Sequence, residues 1–483
     1  MPIRCRSGLL EFLGLLFALA AGVWGIYLAH RVSLQLLALV VLIVGTVFGP
    51  VFFAINGPIQ FSIDRILWFV MLGLFALRSL RDRTRPIELN RMDWLIVAFV
   101  GWLLLSMVIS DAPQAGPEPL ARWIFYALLP MGMYIVARFA RLSRFELRVV
   151  QRSFIGLGIY LGLTALAEKA ELKSLVFPRF IIDPEYIEFL GRGRGPLLNP
   201  TGNGFLLSIG IAAMLLAFQH RSRFARLGYG IAMLAAAGGV FATLTRSVWI
   251  AAIAAVSLTQ FNRISRGIRI WAVVTSLVLA GGLAIGFGDQ ILNLKRDKNL
   301  SASAAADSIA LRPMLAVIAW EMFKERPLTG VGYGHYFAFN QQYAKATEWE
   351  MPLRTATSYH QHNVLLSYLV DTGLIGAGLW IIMAIGWGMK AWQISRSSSA
   401  CPEAQNIGLL MIATLSSYLL NGMFQDVSII PMLNMYLFYF AGLTVAVDSV
   451  DGRLPERNYA DRRRAVVDRR AAGAMEMKTV SSR

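Results

Sequence analysis

Charge is scarce in this chain: 16% of its 483 residues are Asp, Glu, Lys or Arg, against 56% hydrophobic. So little polar surface cannot cover a water-soluble globule of that length, and a mean hydropathy of +0.55 requires that lipid do part of the solvating. Cysteine is almost missing. Cys5 and Cys401 stand at opposite ends of the sequence with no redox or metal spacing, so neither a disulfide nor a metal site is read from them.

What the chain has in quantity is long apolar runs. Each covers roughly 17–25 residues, enough to cross a hydrocarbon core about 30 Å thick as a helix, the one open-ended structure that satisfies its own backbone in lipid. Spans are placed near 8–29, 32–55, 61–78, 93–110, 121–138, 149–167, 203–219, 227–244, 247–261, 269–288, 364–389, 406–421 and 430–448. The expected fold class is all-α, a polytopic transmembrane helical bundle of about 12–13 spans with one large, partly helical extracytoplasmic loop. Met1–Ser7, with Arg4 and Arg6 ahead of a long apolar stretch that lacks a small-residue cleavage site, reads as the lead into a retained first helix rather than a signal peptide.

A net charge of +17 raises the question of nucleic acid. The arginines and lysines, however, sit in short clusters between apolar runs, as cytoplasmic retention requires, and no nucleic-acid partner is expected. The linkers Arg78–Arg91 (with Arg81, Arg83 and Arg85), Arg138–Arg148 and His220–Arg226 are therefore placed inside. Ser110–Leu120, which has no Arg or Lys, and the long mixed connection near 168–202 are placed outside. Alternation through the basic loop Asn262–Arg269 then puts the longest connection, 289–363, outside, and leaves Lys390–Gln405 and the tail inside. Counting back, Arg4 and Arg6 fall outside, against their own preference. Four regions follow: transmembrane helices over 1–288, the large loop 289–363, further spans over 364–450, and a basic disordered tail over 451–483 with Arg462, Arg463, Arg464, Arg469 and Arg470.

Within the large loop, Ser308–Lys324 is patterned as an amphipathic helix, with Pro313 tolerable in its first turn, followed by the turn-rich PLTGVGYG of Pro327–Gly334. No Gly-Lys-Ser/Thr ending follows, so this is not a phosphate loop. His360, His362 and Asn363 stand where the chain re-enters the membrane. If a helix starts near His362, Gly373 and Gly376 share its face and admit a close neighbour. The helix dipole would there favour a neutral imidazole, available as a base; a solvated polar residue at a helix start is the plainer alternative.

The string His362-Asn363, nine residues, then Gly373-Leu374-Ile375-Gly376 resembles the signature of the O-antigen ligase and polymerase superfamily, bacterial envelope enzymes acting on polyprenyl-pyrophosphate-linked glycans. Arg312, Trp320 and Pro327-Leu328-Thr329-Gly330-Val331-Gly332 are similar to that family's outer loop. The resemblance implies a glycosyltransferase of the bacterial cytoplasmic (inner) membrane whose site faces the periplasm. It implies a lipid-linked oligosaccharide donor, a glycolipid, glycan or protein acceptor, and no cofactor. By residue, it implies His362 as base, with Arg246 (in TLTRSVW) and Arg312 (in ALRPM) holding the pyrophosphate.

The outer connections lack a compact Asp-x-Asp pair for a divalent cation, which leaves arginine to grip the phosphates by paired hydrogen bonds. A headgroup anchor for Arg246 and a solvated helix residue for Arg312 are the competing explanations. Arg192 and Arg194 in GRGRGPLLNPTGNG, with His360 and Asn363, are further substrate-binding candidates, unless that Gly-rich stretch is only a mobile connector. Tyr333, Tyr336, Phe337, Tyr343, Trp349 and Tyr359 could stack on sugars or bury the loop against the bilayer. Other functions stay open: a polymerase of lipid-linked repeats, a protein O-oligosaccharyltransferase, or, from another class, a flippase or exporter with ionisable residues in broken helices.

Overall fold

Residues 32–55, 61–81, 88–112, 118–218, 222–261, 302–345, 351–450 and 452–455 are described by a computed structural model of the chain. The expected spans 8–29 and 269–288, Arg4 and Arg6, the loop Asn262–Arg269 and nearly all of the basic tail lie outside the described residues. The other eleven expected spans are all helical in whole or in part. They are α1 (Leu34–Val47), α2 (Ile63–Arg81), α3 (Arg91–Val108), α4 (Glu118–Phe139), α5 (Arg144–Lys169), α6 (Pro200–Phe218), α7 (Arg223–Ala242) and α8 (Arg246–Gln260). Two loop helices follow, α9 (Ala302–Glu325) and α10 (Tyr336–Tyr343), then α11 (Val364–Arg396), α12 (Pro402–Gly422) and α13 (Pro431–Asp448). Six of them, α3 to α7 and α11, are long and apolar enough to cross a membrane. The protein is an all-α, multi-pass bundle.

Two expectations need correction. The run 32–55 is not one helix: α1 ends at Val47, where Gly49 at φ +53° precedes Pro50, and the chain makes one more helical turn before a short antiparallel pairing of Ala54–Ile55 with Phe61–Ser62. The loop helix is longer than Ser308–Lys324, and Pro313 lies inside it rather than in its first turn.

The bundle core is α6, sealed on nearly every side, with α5, α7, α8 and α12 around it; α4 packs along α13, and α11 along α12 and α3. Small residues set these approaches. A Cβ on Gly158 of α5 would stand 2.9 Å from the Gly210 backbone of α6, and one on Gly442 of α13 would meet the Tyr134 carbonyl of α4 at 2.6 Å. Lipid-seam helices use small residues for such contacts. On the outside, α7 exposes Phe224, Leu227, Ile231 and Leu234, the apolar face a bilayer would cover.

Helix ends sort into two sets. At one end Asn90 caps α3 with a capping box to Asp93, Arg148 pairs with Glu403 at 2.8 Å, Lys390 meets Asp448, and Arg144 donates to Leu454. That end carries Arg138, Arg141, Arg144, Arg223, Arg226 and Arg396. At the other end stand the starts of α4, α6, α8, α11 and α13, the ends of α3, α7 and α12, and the loop segments 326–345 and 351–363, where Arg326 forms a two-pronged bond to Asp111 at 2.6 and 2.8 Å. Arg192, Arg194, Arg246, Arg312, His360, His362 and Asn363, the polar site candidates of the sequence, lie at this second end.

Candidate active site

Helix α11 is not regular. At Gly373 the backbone turns to φ 64°, ψ −166°, a region essentially closed to residues with a side chain. The Pro327–Gly334 turn zips onto the exposed backbone of this break. Leu374 and Ile375 N–H groups donate to the carbonyls of Pro327 (2.8 Å) and Leu328 (3.3 Å), while Val331 and Gly332 N–H groups donate to those of Val370 and Asp371 (2.9 Å each). The two glycine-rich motifs of the sequence are thus two halves of one joint. This corrects the helix-face reading of Gly373, whose neighbour is the loop backbone; Gly376 faces Thr372 and Trp102.

The joint aims the loop's return. Asn363 is the N-cap of α11, its Oδ1 accepting from Leu365 N (2.9 Å) and Leu366 N (3.1 Å) and its Nδ2 donating to Met423 O (3.2 Å). These bonds engage its side chain in holding the helix start. His362 therefore precedes the cap rather than occupying the first turn, and it sits at φ +51°, a strained backbone position for a residue with a side chain. Burial comes first in pulling its pKa below the ordinary imidazole range, and the charge of Arg312 adds to the effect against an opposing pull from Asp426. The cause differs from the expected helix dipole; the direction is the same. His360 is drawn down to about 4 by burial and by Arg122.

Arg312 of α9 lies beside His362 and feels Arg246 as well: burial and the Arg246 charge both lower its pKa. Its guanidinium is 5.8 Å from the Phe424 ring. Arg246 opens α8 directly after a tight turn in which Leu244 takes φ +49°. Arg192 holds that turn, donating from Nη2 to Thr245 Oγ1 (2.7 Å) and from Nε to Thr243 O (3.3 Å). So Arg312 of α9 links the two others by charge, to Arg246 at the start of α8 and to His362 ahead of the α11 cap.

Arg192 and Arg194 do not lie open to a ligand. Arg194 is fully buried, its guanidinium donating to the carbonyls of Ile181, Tyr186 and Glu188 and standing 3.9 Å from Glu168. It acts as the internal clasp of the 179–195 loop, an ordered segment rather than the mobile connector weighed from the sequence.

Three site residues were not singled out in the sequence. Arg122 of α4, 11% exposed, lies 3.5 Å from Asp371 and 3.9 Å from Asp426, each carboxylate side chain 1% exposed. Asp371 Oδ2 also accepts from Gly334 N (3.1 Å), and Asp426 Oδ1 from Ser428 N (3.1 Å) and Ser428 Oγ (2.5 Å). The guanidinium lies 5.3 Å from the Tyr333 ring. The signal was available: Arg122 and Asp371 are charges within otherwise apolar spans, and such residues mark functional sites by default. Helix α4 is irregular beside them. Ile124–Leu128 is a π-helical turn, and because Pro130 has no N–H for the carbonyl of Tyr126, Asn434 Nδ2 donates to it instead at 3.3 Å.

Among the described residues no group of three or more His, Cys, Asp or Glu side chains is placed to hold a metal. A groove lined by Leu89, Ile96, Met131 and Tyr134 lies at the opposite end, against Asp93.

No curated protein matches the chain. Residues 231–381 match the family model described as O-antigen ligase, a stretch that holds Arg246, Arg312, His362 and the Gly373 joint but not Arg122 or Asp426. Over those residues, about a third of the chain, this multi-pass membrane protein is similar to the O-antigen ligase family.

Proposed function

We propose that the protein transfers a glycan from a polyprenyl-pyrophosphate carrier to an acceptor hydroxyl on the periplasmic face of the bacterial inner membrane. The observation that carries this reading is the placement of Arg246, Arg312 and His362 at one end of the bundle, where Arg312 feels the charge of Arg246 and His362 that of Arg312. The arginine-rich opposite end, with Arg141, Arg144 and Arg223, supports a cytoplasmic placement for that side and hence an external one for the site.

In the proposed step the acceptor oxygen attacks the anomeric carbon from the face opposite the diphosphate. Its proton passes to the neutral imidazole of His362 as the new carbon–oxygen bond forms. The bond from the anomeric carbon to the phosphate oxygen breaks, and its electron pair stays on the lipid diphosphate, inverting the carbon. Arg246 and Arg312 take up the charge that develops there, the role a divalent cation fills elsewhere. The charge of Arg246 acts on Arg312, and a diphosphate bound at both would offset that repulsion. Asp426, coupled to both histidines, stabilises the imidazolium that forms. An exporter would also have a broken helix bearing a carboxylate, but here the break is hydrogen-bonded by the loop and Asp371 is paired with Arg122.

The test uses the full chain in lipid nanodiscs with its lipid-linked glycan. Arg246→Ala and Arg312→Ala each weaken donor binding roughly tenfold or more, the worth of a charged hydrogen-bond pair. His362→Ala binds donor normally but loses about 10²–10⁴-fold in turnover, the usual contribution of a general base. Unchanged donor affinity in both arginine variants removes the diphosphate role. Wild-type turnover in His362→Ala removes the base.

A further inference from the structure

Two kinds of group surround His362. One is cationic: Arg312, whose charge acts on the imidazole and which itself feels Arg246. The other is aromatic. Of the rings that the sequence offered for sugar stacking, Tyr333 and Tyr336 are core residues, 3% and 0% exposed, Tyr343 is bonded to Glu325, and Trp349 lies outside the described residues. Phe337 and Tyr359 remain, 42% and 45% exposed. Each neighbours a different histidine: the ring centres of Phe337 and His360 are 4.5 Å apart, edge to face, and those of Tyr359 and His362 are 6.5 Å apart, tilted.

Between the two histidines in the chain sits Gln361, 3% exposed, with neither its amide oxygen nor its amide nitrogen hydrogen-bonded among the described residues, and His360 Nδ1 is buried in the same condition. Unsatisfied buried amide groups cost about as much as a lost hydrogen bond each, and a ligand can recover that cost. The cation nearest in effect to His360 is Arg122, already held between Asp371 and Asp426. This flank therefore suits a neutral ligand with apolar faces and a rim of hydroxyl groups.

Resting on the transfer reading above, we propose that Phe337, Tyr359 and Gln361 form the acceptor subsite and that it takes a pyranose ring. The axial C–H face of a sugar carries slight positive charge and meets the negative face of an aromatic ring. A ring stacked on Tyr359 brings its hydroxyls toward His362, while the Gln361 amide supplies one donor and one acceptor for the others. The site thus separates its substrates by chemistry: diphosphate on the arginine side, carbohydrate acceptor on the aromatic side.

Saturation-transfer NMR on the full chain in nanodiscs tests this with methyl β-glucopyranoside, methyl β-galactopyranoside and N-acetylglucosamine as probes. At least one should receive saturation at its ring C–H protons. Phe337→Leu and Tyr359→Leu should weaken that binding roughly two- to tenfold, and Phe337→Trp and Tyr359→Trp should keep it. Both side chains are half-exposed, so thermal unfolding of the variants should match wild type and exclude misfolding. Absence of saturation for all three sugars, or equal binding by the leucine variants, overturns the subsite. The measurement reads binding without turnover, so it can fail while His362→Ala still abolishes transfer, and the two proposals are separable.

Discussion

Replacing Gly373 by alanine should separate the loop from the helix that it completes. In wild type this residue holds φ 64°, ψ −166°, and a Cβ there would stand 2.2 Å from the Leu328 carbonyl oxygen and 2.5 Å from Thr329 N. Neither atom belongs to a flexible side chain, so the backbones must part. Forcing a substituted residue into this region costs about 1–3 kcal/mol. Losing the two flanking bonds, from Leu374 and Ile375 to the loop carbonyls, adds about 0.5–1.5 kcal/mol each. The expected destabilisation is therefore about 2–6 kcal/mol. Gly378, five residues on in the same helix, has nothing within 4 Å of a built Cβ and an ordinary helical backbone. Alanine there should be neutral or stabilise by up to about 1 kcal/mol. Denaturant titration of both purified variants in detergent reads the difference, and limited proteolysis should cut Gly373→Ala between 327 and 334. Equal stability of the two variants would refute the joint.

The buried charges and histidines give three further expectations. Arg122→Met leaves two carboxylates, each 1% exposed, without their cation, which should cost about 3–5 kcal/mol; adding Asp371→Asn should restore part of it, and a double variant no more stable than the single would contradict the pairing. With His362 depressed below the ordinary imidazole range, the acid limb of the kcat/KM profile should fall below pH 6.5, and Arg312→Gln should move it upward; an unmoved limb would deny the coupling. His360, drawn down to about 4, stays neutral in the fold while the unfolded chain takes up its proton, so stability should decline as pH falls from about 6.5 toward 4. His360→Phe should flatten that decline in an unfolding series against pH.

The sequence was most legible where the physics is local. Runs such as Arg91–Val108 and Pro200–Phe218 declare a span by length and apolarity alone, and their helices start within three residues of where they were placed. Gly49 before Pro50 declares a break too, but a 24-residue apolar window averages over it. The pairing of Pro327–Gly334 with Gly373 was beyond reach because it depends on which backbone meets which across some 40 residues, and neither glycine motif names its partner. Arg194 shows the same limit: beside Gly193 and Gly195 it looks like an open ligand contact, whereas its guanidinium is spent on three carbonyls of its own loop. Arg122 was visible as a charge in an apolar span, but its tie to Asp371 of α11 and to Asp426 after α12 joins residues about 250–300 positions away in the chain.

The central claim is that His362 moves the acceptor's proton while a glycan leaves its lipid carrier. It is tested most directly by extracting lipid-linked glycan from the membranes of cells in which His362→Ala replaces the wild-type chain, with the protein level matched. Glycan should accumulate on the lipid carrier, as full-length chains if the enzyme is a ligase and as single repeats if it is a polymerase. A lipid-linked pool unchanged from wild type would contradict the account.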